Sequence, residues 1–173
     1  MEIPFQIIEK DGYHAIKYKK PGVVVMTYQL DENQLLDKIG VVKEKNPFKS
    51  EGYHMGIIMG SVEPDDKSLL KRAKIETLEE AGYDVPDDER WSFLGELYTD
   101  KMVIDPVHCF AVNLTGLEGI APSGDGSTHE EGIEFLMLPL SEIYQVNDSI
   151  LQSCFFKLFN NLYKKEITDG ISK

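Results

Sequence analysis

Apolar positions along this chain recur with two different periods. Through the first sixty residues they fall in short β-branched or aromatic runs separated by turn residues. Ile3–Ile8 and His14–Tyr18 predict two strands joined at Asp11-Gly12, and Val23–Tyr28 predicts a third, starting just after Pro21-Gly22. Leu36–Lys43 is open to either reading, with Ile39-Gly-Val-Val leaning towards strand. Asn46-Pro47 marks a loop, and Tyr53–Met59 predicts one further strand, ending at Gly60.

The period then lengthens. From Lys67 or Ser68 to Ala81 the pattern predicts a helix, with Asp65, Asp66 and Ser68 as N-cap candidates and Gly82 just past its end. Strands are predicted at Trp91–Leu97, Val107–Leu114 and Ile133–Leu138, with a loop of Gly, Ser, Asp and Glu from Gly116 to about Glu131. Between Asp148 and Lys164, the apolar residues Ile150, Leu151, Cys154, Phe155, Leu158 and Leu162 follow helical spacing. No repeat or linker divides the chain. One domain over residues 1–173 is expected, of α+β class, with a β-rich N-terminal segment (about 1–30), a mixed sheet and a C-terminal helix (about 148–165).

Composition narrows the classes of partner. A formal net charge of −12 disfavours long nucleic acid and anionic membrane surfaces, both of which need basic protein surface. It leaves an anionic small molecule open, because a bound cation reverses the local sign. Cys109 and Cys154 lie far apart among apolar neighbours and read as reduced core residues. A basic leader and a run of about 18 apolar residues are both absent, so a cytoplasmic protein without a membrane span is expected. Tyr28, Phe48, Tyr53 and Tyr98 read as core or contact residues.

The candidate chemistry lies in Lys74–Val85, KIETLEEAGYDV. On a helix Glu76, Glu79 and Glu80 share a sector of roughly 100°, which Arg72 joins from one turn earlier. Leu70, Thr77 and Ala81 face elsewhere and predict the packed side. Three like charges so close repel one another and oppose the helix dipole, so compensation is required. A hard divalent cation supplies it, and so does solvent around an exposed acidic face.

The wider stretch Gly60–Tyr83, GSVEPDDKSLLKRAKIETLEEAGY, resembles the signature of the Nudix hydrolases. That pattern is Gly, five residues, Glu, seven residues, then Arg-Glu-apolar-x-Glu-Glu-x-Gly-apolar. Here Asp66 stands at the first Glu, and Glu76, Glu79, Glu80, Gly82 and Tyr83 complete the second half in register. One extra residue separates the halves, Ile75 replaces the Arg, and Thr77 replaces the apolar residue after Glu76. Arg72 is placed to substitute for the missing Arg. The resemblance implies a Nudix fold, an α/β/α sandwich with a mixed sheet.

It also implies an activity: metal-dependent hydrolysis of the diphosphate linkage in a nucleoside diphosphate derivative. Mg²⁺ or Mn²⁺ would be held by Glu76 and Glu80, with Glu79 third and the backbone carbonyl of Met59 adding a ligand. Arg72, Glu63 and Glu130 are the substrate-side candidates, and Glu131 in the loop SGDGSTHEEGIEF is favoured over Glu130 as general base. The β-rich segment ahead of the box and the acidic loop behind it are similar to the ADP-ribose pyrophosphatase branch, which implies ADP-ribose or a nucleotide sugar as substrate and a homodimer through the N-terminal strands. Dinucleoside polyphosphates, NADH and RNA caps are alternatives within the class. A non-catalytic Nudix-fold module that binds a nucleotide is the alternative outside it, favoured by Ile75 and the extra residue.

Overall fold

The computed structural model describes residues 4–124, 126 and 132–171. Strands β1 (Phe5–Lys10) and β2 (Tyr13–Tyr18) pair as an antiparallel hairpin that forms a two-stranded sheet of its own. Asp11 and Gly12 make its two-residue turn, both at positive φ (52° and 79°), the twist that suits a tight hairpin.

Seven strands form the main sheet: β3 (Gly22–Leu30), β4 (Leu36–Lys45), β5 (Tyr53–Gly56), β6 (Ile58–Ser61), β7 (Trp91–Leu97), β8 (Val107–Asn113) and β9 (Glu134–Pro139). β3 is central. It runs parallel to β8 from Gly22↔Val107 to Tyr28↔Asn113. Its other edge is shared, with β6 antiparallel to its first half and β4 antiparallel to its second. β9 extends the sheet beyond β4, β5 pairs with the second half of the β4 edge that β3 also uses, and β7 closes the far edge beside β8.

Because a strand alternates its side chains, β3 and β8 feed two cores. Val24, Met26 and Tyr28 with Cys109 and Ala111 pack on one face under Leu151, Cys154 and Leu158 of α3 (Ser149–Ile171). Val23 and Val25 with Phe110 and Val112 pack on the other under Ala73 and Ala81 of α1 (Leu69–Ala81). A sheet covered on both faces explains why Val23–Tyr28 is buried at every position and apolar at all but Thr27. The result is an α/β/α sandwich with a mixed sheet, as expected from the sequence.

Several expectations need correction. Tyr53–Met59 is two strands, because the chain leaves β4 after Gly56 and takes up pairing with β3 at Ile58. A one-turn helix α2 (Leu140–Ile143) and a 3₁₀ turn at Asp88–Arg90 were not foreseen. The C-terminal helix runs on to Ile171, with Tyr163 outside helical dihedrals where its hydroxyl accepts the Leu36 amide at 2.8 Å. Cys109 and Cys154 are both free and buried, but they are neighbours, their sulfurs 3.4 Å apart across the β8–α3 contact. The Cys154 thiol donates to Cys109, which holds Cys109 below the usual thiol range; that bond and burial push Cys154 above it. Tyr28 is core, whereas Phe48 and Tyr98 are exposed. Among the described residues no helix is long and apolar enough to cross a membrane.

Candidate functional site

Pairing register gathers the site at one end of the central strands. Gly22 lies beside Val107 in the parallel ladder and opposite Ser61 in the antiparallel one. Lys20, ahead of β3, Asp105 and Pro106, ahead of β8, and Gly60-Ser61, ending β6, therefore meet around one cleft of about 630 Å³. The β1–β2 hairpin is held onto this end by Ile16, whose amide donates to Met102 and whose carbonyl accepts from Ile104.

Helix α1 supplies the opposite wall. Ser68 caps it, its hydroxyl accepting the Lys71 amide at 3.1 Å. At the other end Gly82, at φ 74°, turns the chain so that its amide and that of Tyr83 donate to Leu78 and Thr77 carbonyls. Thr77 and Ala81 are fully packed on the sheet, as the spacing predicted. The carboxylate face is not solvated: Glu76 is 7% and Glu80 5% exposed.

Glu76 lies flat against β6. A Cβ built on Gly60 would stand 1.8 Å from its Oε1, so any side chain at position 60 would displace the carboxylate. The glycine of the box is required here by volume, since its φ is not positive.

Arg72 ties the two halves of the box together. Its Nε donates to Asp66 Oδ2 at 2.7 Å and its Nη1 to Glu76 Oε1 at 3.4 Å. Asp66 also accepts the Glu63 amide at 2.8 Å, and its side chain is only 1% exposed. The Arg72 hydrogen bond, outweighing burial and helped by the Glu63 amide, holds the Asp66 carboxyl below the usual range. Burial opposes the Arg72 charge, but Asp66 and Glu76 together overcome it and raise its pKa. The guanidinium thus reaches Glu76 from one turn earlier on the helix.

Glu76, Glu79, Met59, Arg72 and Glu63 all line the cleft, while Glu80 is not among its lining residues. Among the described residues no group of three or more His, Cys, Asp or Glu side chains is gathered as a metal-ligand set. The donor chemistry still fits a hard cation, with the carboxylates of Glu76 and Glu79 lining the same cleft as Met59 and Gly60 of β6. Glu63 forms an ion pair with Lys20, Nζ to Oε2 at 2.5 Å. Glu130 and Glu131 lie outside the described residues. The segment leading to them is anchored at the end of α1: Ser123 and Gly124 amides donate to the Glu79 carbonyl, and Ile120 to that of Gly82.

Lys20, Thr99 and Asp105 were not singled out from sequence. They carry no local motif and reach the cleft only through the β3–β8 and β7–β8 pairings. One Asp105 carboxylate oxygen is buried with no hydrogen-bond partner among the described residues.

Neither a protein-family model nor a curated protein matches the sequence. Solved structures do match. The crystal structure of an ADP compounds hydrolase superposes with a TM-score of 0.59 at 17% identity, over 90% of this chain and 82% of that one. The NUDIX domain of Shewanella oneidensis NrtR, complexed with ADP ribose, superposes with a TM-score of 0.62 at 15% identity, over 83% and 88%. This chain has the Nudix fold. Within the Nudix fold the box occupies the β6–loop–α1 unit, with its glycine under Glu76 and its last glycine closing the helix. With one extra residue between the halves of the box, Asp66 and Arg72 still form an ion pair.

Proposed function

We propose that the protein is a divalent-metal-dependent pyrophosphohydrolase of nucleoside diphosphate derivatives, with ADP-ribose or a nucleotide sugar as substrate. The observation that carries this reading is the meeting of Glu76, Glu79, Met59 and Arg72 in one cleft on a Nudix fold. That a structural neighbour binds ADP ribose supports the choice of ligand.

Mg²⁺ or Mn²⁺ would be held by Glu76 and Glu79, with Glu80 and the Met59 carbonyl as further ligands. Such an ion neutralises the diphosphate and acidifies a bound water. The residues themselves do the positioning. Gly60 leaves room for Glu76, Arg72 orients it, and the α1 C-terminus fixes Glu79 beside the anchored loop. Glu131, or its neighbour Glu130, is the proposed base, and the enzyme is proposed to work in the cytoplasm, with a homodimer through the N-terminal strands.

The test is hydrolysis of a panel of nucleoside diphosphate derivatives with Mg²⁺, Mn²⁺ or chelator, in wild type and Glu79→Gln. Metal-dependent release of a nucleoside monophosphate by wild type, reduced by about 100-fold or more in the variant, is expected. Binding of nucleotide without turnover by wild type would instead select the non-catalytic module. Ile75 in place of the box Arg is the feature favouring that second reading.

A further inference from the structure

The cleft has a charge problem. Among its described lining residues two cations, Lys20 and Arg72, face four carboxylates, those of Glu63, Glu76, Glu79 and Asp105. A divalent ion would bring the lining to neutrality, but a diphosphate adds further negative charge. Some protein cation must turn to meet it.

Arg72 is not free to turn. It is 14% exposed and committed to Asp66, which is almost completely buried, and to Glu76. Withdrawing it would strand a buried carboxylate, the costly way to break an ion pair. Lys20 differs on each count. Its side chain is 45% exposed, and its partner Glu63 is 38% exposed. Exposed pairs of this kind hold weakly, since water solvates both ends when they part. A lysine ammonium on a flexible stem also exchanges partners more readily than a guanidinium fork.

We propose that Lys20 is a substrate-binding residue that leaves Glu63 to contact the phosphate groups of the incoming nucleotide, so that Glu63 competes with the substrate for it. The inference rests on the function proposed above and adds to it a residue and a reason for Glu63 in the cleft: Glu63 holds the lysine in place when the site is empty. Part of the binding energy goes into breaking that pair, which sets the affinity below what an uncommitted lysine would give.

This arrangement is separable from a structural one. If the pair were a staple between the β2–β3 join and the box loop, removing either end would have the same effect. If the carboxylate competes with substrate, the two ends act in opposite directions. The measurements are KM and kcat with Mg²⁺, and calorimetric titration with chelator present, using ADP-ribose and UDP-glucose as probes. Lys20→Gln is expected to raise KM on the order of tenfold, more than it changes kcat, the cost of a lost charge-assisted contact. Lys20→Arg should recover most of the affinity. Glu63→Gln should lower KM severalfold, and the gain should vanish in the Lys20→Gln background. Thermal unfolding checks that each variant is folded.

Changes of the same sign in Lys20→Gln and Glu63→Gln, or no change in either, would overturn the proposal while leaving the hydrolase reading intact. Failure of wild type to bind or cleave either probe would remove the nucleotide reading itself, and this proposal with it.

Discussion

At the scale of single residues, Arg72 is the most consequential side chain that the box pattern does not include. Its removal leaves Asp66 buried with the Glu63 amide as its remaining hydrogen-bond donor among the described residues and Lys71 as a more distant positive charge. Arg72→Ala is therefore expected to cost about 3–5 kcal/mol in urea unfolding, and Arg72→Ala with Asp66→Asn markedly less. Turnover should fall in Arg72→Ala as Glu76 loses its orienting partner; unchanged turnover would show that Ile75 is not compensated from position 72. The pair also fixes a pH dependence. Asp66 is held below the ordinary aspartate value of 3.8. Its contribution is thus complete above that pH and lost as pH falls through the lower, folded value. Below about pH 4 the stability of wild type should decline more steeply than that of Asp66→Asn, measured by unfolding across a pH series.

At the scale of elements, the ends of α1 do more than stop a helix. Gly82 is left-handed, and a Cβ there would stand 1.9 Å from the Ile120 carbonyl oxygen. Gly82→Ala should therefore cost more than the roughly 1–2 kcal/mol of a left-handed alanine, because the 120–124 segment must shift as well. Thermal unfolding would read the stability loss. Turnover would read the displacement of the loop tied to Glu79. This helix was legible in the sequence, since cap residues, apolar spacing and the box all lie within one continuous stretch. Strands bounded by Gly, Pro or Asn were legible for the same local reason. The break at Ile57 was not, because it is a change of partner from β4 to β3, and no local signal encodes a partner. Burial of the glutamate face was hidden for a related reason. Helical spacing places Glu76 and Glu80 on one side, but only the approach of β6 shows that this side is covered.

At the scale of the whole molecule, the cleft is a product of the sheet. Its walls come from the β2–β3 join, β6, α1, the segment ahead of β8, and Ile150 of α3. The box alone marks one wall, so the carboxylates could be read from sequence while Lys20 and Asp105 could not. That construction has a consequence in time. The β3–β8 ladder joins Gly22 to Val107, and such non-local pairings form late because a long loop must close first. α1 needs only its own residues and nearby packing to begin. A refolding chain should therefore regain helical circular dichroism before it regains affinity for nucleotide, with the lag removed when β3 and β8 are already paired. Stopped-flow refolding followed by ellipticity and by ligand binding would measure it; simultaneous recovery would mean that the site and the helix form in one step. During synthesis the same order holds: α1 emerges after β3 and β6, on which it packs, but before β8, so the helix has its support while the cleft is still incomplete.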